Sequence, residues 1–328
     1  MRILITGGTG FIGSQLAYSC LNKGYAVRVL GQTNNEAEKA NLRKLKEAGV
    51  ECVICSITDK PKVGEALKGI DAVFHLAAAQ HEMNVPDEHF WKVNVDGTKT
   101  LLRSCLERGV KFVLHGSTIG VYGELRGVIT EESPCRPDNI YGITKFEGEK
   151  VARSYADRIA VSIIRIPEVY GPGDRRLLKL FKAVRGGRFI IPGKGKNLHH
   201  PIFVRDLIDG FFCALEKKEA KGETFLLSGP RPVTTEEMVE CVAGALNVQL
   251  KVIHVPFWPF WAAAFLMEKT LRPLGIQPPL HRRRMDFFKK SFELSSRKAR
   301  ELLGFEAKTD FAQGARLTAE WYEKEGLL

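Results

Sequence analysis

MRILITGGTGFIG, residues Met1–Gly13, decides how the rest of the chain is read. Arg2–Thr6 is a short, largely β-branched run and predicts a buried strand. Glycines then recur at 7, 10 and 13, around Thr9, Phe11 and Ile12, and the apolar-periodic stretch Gln15–Leu21 predicts a helix. Gly7 permits a tight turn, Gly10 lets backbone approach a pyrophosphate, and Gly13 lets helix and strand pack closely. The helix N-terminus turns free N–H groups and the positive end of its dipole toward phosphates. A glycine triplet is a weak signal alone; between a first strand and a first helix it becomes specific.

Working outward, Tyr25–Leu30 predicts a second strand whose end lies beside an adenosine ribose. An acidic residue there holds ribose hydroxyls and an Arg accepts a 2′-phosphate; this chain has Gly31-Gln32, which leaves NAD and NADP both open. Lys39, Arg43 and Lys44 on the next helix could reach a 2′-phosphate. Strand-like Glu51–Ile54, helix-like Val63–Lys68 and strand-like Ala72–Leu76 continue a βαβ alternation, which implies a doubly wound parallel α/β sheet. Ser56 and Ile57 are placed at the adenine edge. Leu76, Ala77, Ala78 and Ala79 suit a backbone running under a bound cofactor. One helix is predicted from about His89 to Glu107, carrying Asn94, followed by a strand at Lys111–His115.

The composition of the 328 residues, 44% hydrophobic and 27% charged, is that of an ordinary globular protein. A net charge of +11 favours anionic ligands or surfaces, but no basic tract interleaved with aromatics suggests nucleic-acid readout. A strand starting at residue 2 leads us to expect no cleaved signal and a cytoplasmic location. Seven scattered cysteines make no disulfide framework, and Cys52 and Cys55 lack the second pair of a zinc site, so no metal is expected.

The chemistry gathers next. The fifth strand ends in Ser117-Thr118, and a polar loop leads to Tyr141-Gly142-Ile143-Thr144-Lys145, where Tyr141 and Lys145 share one helix face. Hydride transfer at a carbinol needs a group to take or give the hydroxyl proton. Tyr, with pKa ~10, is too basic for this at neutral pH by roughly 4 kcal/mol. A Lys ammonium ~4 Å away contributes about that much at an effective dielectric near 20. Tyr141 can then act as general acid–base, with Thr118 orienting the substrate oxygen.

Glycine loop, His75-Leu76-Ala77-Ala78, Ser117-Thr118 and YxxxK, in that order, resemble the extended short-chain dehydrogenase/reductase superfamily, of the NAD-dependent epimerase/dehydratase type, with 3β-hydroxysteroid dehydrogenase-like features in the C-terminal third. The resemblance covers essentially the whole chain. It implies a Rossmann domain over 1–166, to which 201–228 partly returns, interwoven with a smaller mixed α/β substrate domain over 167–328. It implies a catalytic set matched by Thr118, Tyr141 and Lys145, with Lys145 also on the nicotinamide ribose. The expected cofactor contacts are Gly7, Thr9, Gly10, Phe11, Ile12, Gly13, Gln32, Ser56, Ile57, Leu76, Ala77, Ala78, Asn94, Ser117, Tyr141, Lys145, Ile166 and Val169; Asn94 has an equally open structural role. A homodimer through the helices of Asn94 and Tyr141 is also implied.

The acidic pair of the family's dehydratases is replaced by Ile119 and Gly120, which disfavours dehydration. Where its epimerases hold a diphosphate with Asn and Arg, this chain has Glu168 and His199; Arg175, Arg176 or Arg284 could compensate. Ala79, Tyr122, Glu168, Arg175, His199 and Arg284 are the candidate substrate residues. A nucleotide-sugar epimerase working through a transient ketone leads on family base rate. The alternative is a 3β-hydroxysteroid dehydrogenase- or dihydroflavonol reductase-like enzyme of a hydrophobic substrate, to which Gln277–Leu280 contributes, and a non-catalytic NAD(P) sensor is a distant third.

Farther on, a helix is predicted over Leu177–Arg185, a glycine-rich loop over residues 186–197, and a strand and helix over Pro201–Glu216 with Asp206 as N-cap. Thr224–Ser228 predicts another strand and Thr234 opens a helix. The apolar run VPFWPFWAAAFLM, Val255–Met267, is too short to span a bilayer. It reads as buried core, as a lid over a hydrophobic pocket, or as a peripheral membrane contact, with core ahead on the burial habits of aromatics. RKARELLGF and Trp321-Tyr322 read as closing helices.

Overall fold

The computed structural model describes residues 1–80, 85–271 and 282–328, and for 282–284 the backbone alone. Its centre is a seven-stranded parallel sheet of β1 (Arg2–Thr6), β2 (Ala26–Gly31), β3 (Glu51–Ile54), β4 (Ala72–His75), β5 (Phe112–Thr118), β6 (Ala160–Ile166) and β7 (Thr224–Leu226). The order is β7-β6-β5-β4-β1-β2-β3. The order reverses between β1 and β4, and such a switch point opens a crevice at the carboxyl ends of the strands. β1 faces β4 in the register Thr6↔His75, and β5 carries Thr118 level with Ile166 of β6.

Helices α1 (Phe11–Asn22), α2 (Glu36–Glu47), α3 (Lys60–Ala66), α4 (Asp87–Trp91), α5 (Gly97–Glu107) and α6 (Ile140–Arg153) belong to the first half of the chain. The single helix expected over 89–107 is broken: a π-helical turn, Lys92–Asp96, separates α4 from α5. α3 starts three residues ahead of expectation because Asp59 caps it and Pro61 occupies its first turn.

Beyond β6 lie α7 (Leu178–Arg185), α8 (Val204–Glu216), α9 (Thr235–Ala245), α10 (Phe257–Leu271), α11 (Arg282–Lys289), α12 (Arg297–Leu303) and α13 (Phe311–Lys324). The expected glycine-rich loop contains a strand, Arg188–Pro192, paired in parallel with Lys251–Val255. Its Phe189 and Ile191 are buried while Ile190 faces out, a period-2 pattern that the flanking glycines obscured. Asp206 is not a cap: Phe203 holds that position, and the Asp206 carboxylate accepts from the backbone N–H and hydroxyl of Thr309.

Two cores flank the sheet. One buries Leu16, Phe74 and Ile164 with Phe211 of α8, Phe225 and Leu303 of α12; the other buries Val73 and Val113 with Val63, Leu101 and Ala152 of α3, α5 and α6. A third core joins Phe181, Val239 and Tyr322 of α7, α9 and α13. Thus α8, β7 and α12 pack on the sheet, although they come after residue 166. None of α10 enters any of these cores among the described residues, which corrects the buried-core reading of 255–267. Trp258 is 73% and Leu266 62% exposed. Gln277–Leu280 lies outside the described residues, and so does the side chain of Arg284.

Candidate active site

The glycine loop is shaped by contacts that only glycine tolerates. Gly7 has φ 69°, and a Cβ there would meet Ala77 N at 2.8 Å; at Gly13 it would meet Gly7 O at 2.3 Å. A Cβ on Gly10 meets only Gly7 O, at 3.2 Å, so this residue is open on its other side. Gly8 was missed in the sequence: a Cβ on it would meet the Val29 side chain at 2.4 Å, which fixes the loop against β2. Gly10 precedes α1 with no side-chain cap, which leaves the first N–H groups of α1 for an anionic ligand.

This loop forms one wall of a cleft of about 660 Å³ along the carboxyl ends of β1, β2, β4, β5 and β6. Gly7, Thr9, Gly10, Phe11, Ile12 and Gly13 line it. Gln32, Ser56 and Ile57 line one stretch; Leu76, Ala77 and Ala78 line another; Ser117, Thr118, Tyr141, Lys145, Ile166, Val169 and Arg175 complete the expected residues found there. Thr9 donates to Gln32 O, and Asn41 of α2 donates to Thr9 O, tying loop, β2 end and α2 together.

Glu38 also lines the cleft, beside Gln32 and Asn34. Its carboxylate accepts from Asn34 N at 2.7 Å, and Asn35 caps the helix that carries it. The acidic group absent from the end of β2 is therefore supplied from α2. Of the basic candidates, Lys39 pairs with Glu36 and Lys44 with Glu325. Glycine cradle, uncapped helix start and carboxylate together fit NAD: a carboxylate accepts from ribose hydroxyls and repels a 2′-phosphate.

At the other end, α6 presents Tyr141 and Lys145, its start fixed by the Asn139 side chain accepting from Gly142 N. Lys145 is buried and donates to Gly116 O at 2.6 Å. Burial pulls its amine down to about 8, against an opposing pull from Glu149 one turn on. Glu149 is fully buried and accepts from Arg165 Nε and Nη2 at 3.0 and 2.9 Å, from Arg153 at 2.8 Å, and from Ser117 Oγ. The Ser117 side chain is thus turned into this network, and only its remaining atoms can serve the cleft wall. Thr118 Oγ1 accepts from Gly120 N and caps the following 3₁₀ turn.

Several expected site residues hold other posts. Tyr122 is fully buried; its hydroxyl accepts from Arg165 and donates to Thr130 O, so it belongs to the ion network and not to the cleft wall. Asn94 is buried and grips Ala79 through both backbone groups, at 2.9 and 3.0 Å, while donating to Thr144 Oγ1. Asn94 is therefore a brace between the segment after β4 and α6, and Ala79 is sealed beneath it. Glu168 and His199 pair at 3.2 Å, with His199 also bonded to Thr235 Oγ1 and near Asn197. Burial pushes the Glu168 carboxyl up, but His199 and Arg176 outweigh it and hold the group below its ordinary value. Protein crowds this carboxylate, yet 45% of its side chain stays open. It sits between the wall residues Pro167 and Val169.

The sequence profile of the NAD dependent epimerase/dehydratase family matches residues 3–228. The chain belongs to that family, and with it to the NAD-dependent enzymes of the extended short-chain dehydrogenase type. It is 27% identical over 322 residues to a 4-hydroxy-2-methyl-3-oxo-4-farnesyl-3,4-dihydroquinoline-1-oxide ketoreductase of Stigmatella aurantiaca, covering 96% of this chain and 94% of the relative. It is 27% identical to the 3beta-hydroxysteroid-dehydrogenase/decarboxylase isoform 2 of Arabidopsis thaliana, covering 97% of this chain but only 61% of that relative's length. In structure it is similar to the UDP-glucose 4-epimerase of Thermotoga maritima solved with UDP-glucose, at TM-score 0.78 and 26% identity over 99% of each chain.

Proposed function

We propose that this member of the NAD dependent epimerase/dehydratase family moves hydride between NAD and a secondary carbinol or ketone, with Tyr141 as the proton-transfer group. The observation that carries this reading is that Thr118, Tyr141 and Lys145 share one cleft with the glycine cradle. NAD, when bound, supplies the hydride acceptor or donor. Tyr141 takes the carbinol proton during oxidation and returns it during reduction. Lys145 adds positive potential beside the phenol and, through Gly116 O, is locked to the end of β5. Thr118 orients the substrate oxygen.

We propose a substrate of low negative charge, a hydrophobic hydroxy or keto compound simply oxidised or reduced. Support comes from the Glu168 carboxylate, held ionised beside the cleft wall, because it repels a diphosphate. Relatives matched over nearly this whole chain act, by name, on farnesylated and steroidal compounds. Nucleotide-sugar epimerisation is the second reading, favoured by Arg175 and Arg176 on the cleft wall and by the likeness to a UDP-glucose epimerase.

Identifying the dinucleotide released from denatured purified protein separates the two. An empty protein that binds exchangeable NADH supports the oxidoreductase. Stoichiometric NAD carried through purification supports the epimerase, which regenerates its cofactor in each turnover. A cytoplasmic location accords with seven free thiols. A homodimer through α4–α6 accords with exposed Trp91, Leu106 and Ile143, and a monomer mass by sedimentation equilibrium would count against it.

A further inference from the structure

Helix α10 is apolar from Phe257 to Met267, yet it lies on the surface. Trp258, Trp261, Ala262 and Phe265 recur at i, i+3, i+4 and i+7 and so form one stripe, with Leu266 on its edge. Trp258 is 73%, Trp261 45%, Phe265 41% and Leu266 62% exposed, and the rings of Trp261 and Phe265 stack in parallel at 5.8 Å. The adjoining face, Ala264 and Glu268, is buried, and α10 packs along α11. Large contiguous apolar stripes of this kind mark a surface that something covers.

Three occupants can be weighed. A lid is disfavoured because no residue of α10 lines the cleft. A second copy is disfavoured by charge. Residues 257–271 and 282–290 hold six Lys and Arg against two carboxylates, Glu268 and Asp286, for a net charge of +4. Lys289 and Lys290 reach Glu124 and Asp138, and Lys269 lies over the Phe265 ring, 5.9 Å from its centroid; the rest of the positive charge of this stretch of sequence is Arg282-Arg283-Arg284. A two-fold interface built on the stripe would set these charges against their own copies. An anionic bilayer surface suits both halves of the pattern. Tryptophans seat at the headgroup boundary and cations meet lipid phosphates, while a helix of 15 residues is too short to cross.

We propose that α10 is an interfacial membrane-binding helix, which lies in the headgroup region of an anionic bilayer with the Trp258–Trp261–Phe265 stripe downward. The surface stands apart from the choice of substrate, so either substrate reading survives its failure.

Co-sedimentation with phosphatidylcholine vesicles, with and without phosphatidylglycerol, tests it on the whole chain. The expected result is binding to the phosphatidylglycerol vesicles that weakens with added salt. Partitioning should fall by at least about tenfold in the double variant Trp258→Glu, Trp261→Glu. Both positions are exposed and outside the cores, so NAD binding and melting temperature serve as fold controls. Wild-type protein left in the supernatant overturns the proposal, and so does equal binding by the double variant. Equal binding to neutral vesicles overturns the anionic assignment. Self-association abolished by the double variant, without vesicle binding, overturns it in favour of a second copy.

Discussion

Lys145 shows what the site demands of a single residue. Its amine lies at about 8 in the folded chain against an ordinary 10.5, because burial disfavours the charged form. The unfolded chain therefore binds this proton more tightly, so the group lowers stability at neutral pH by about 3 kcal/mol and gives some of that back as pH rises from about 8 to 10.5. Lys145→Met should raise thermal stability by about 2 kcal/mol, after loss of the hydrogen bond to Gly116 O, while activity falls by at least about a hundredfold. Calorimetry and turnover on the same variant check both. In the wild type, ketone reduction should decline above about pH 8, where Lys145 loses its charge. Glu38 is tested by cofactor preference. Glu38→Gln removes the carboxylate that faces a 2′-phosphate, and the ratio of NADP to NAD affinity should rise by about tenfold in titration, against no change if Glu38 takes no part.

At the scale of elements, β4 and β5 carry two buried histidines, His75 and His115, ring centroids 5.2 Å apart. His75 is bonded to Thr6 and Thr98, whereas neither ring nitrogen of His115 has a hydrogen-bond partner among the described residues. Burial first, and Lys145 second, pull His75 down to about 3 and His115 well below its ordinary value. Both stay neutral in the fold while the unfolded chain takes up protons below about pH 6.5. Native stability should therefore fall as pH drops from there toward about 3. His115→Leu should stabilise by about 1 kcal/mol at neutral pH and flatten this acid slope in pH-dependent melts; an unchanged slope would show that His115 is not a source of it.

Elements were legible where the constraint is local. β1 and β3 have the bounds their apolar runs suggest, and YxxxK sets its pair on one face because four residues make about one helical turn. Reading failed where a distant partner decides. Tyr122 is claimed by Arg165, 43 residues away, and Asp206 by Thr309, 103 residues away. Glu38 reaches the cleft only through the rotation of α2, which no motif encodes.

Across the whole molecule, the three cores explain why the expected two-part division is blurred. α8, β7 and α12 return to the sheet, so the chain crosses between the halves more than once. The cleft runs past β1, β4 and β5 because the strand order reverses at β1 and β4. That topology sets the glycine cradle of the first 13 residues in one cleft with a helix that begins at residue 140. The surface carries a separate feature, α10; the burial habits of aromatics put the core reading of its sequence ahead of a lid or a membrane contact, and its side chains lie outside the described cores instead. We propose that hydride moves within this cleft with Tyr141 handling the proton. The most direct measurement follows nicotinamide absorbance after NAD-loaded protein is mixed with a panel of secondary alcohols that includes steroidal alcohols and UDP-sugars, using wild type and Tyr141→Phe. Wild type should produce reduced nicotinamide from at least one alcohol, and the variant should be slower by at least about a hundredfold while retaining NAD binding. Equal rates in the two proteins would contradict it.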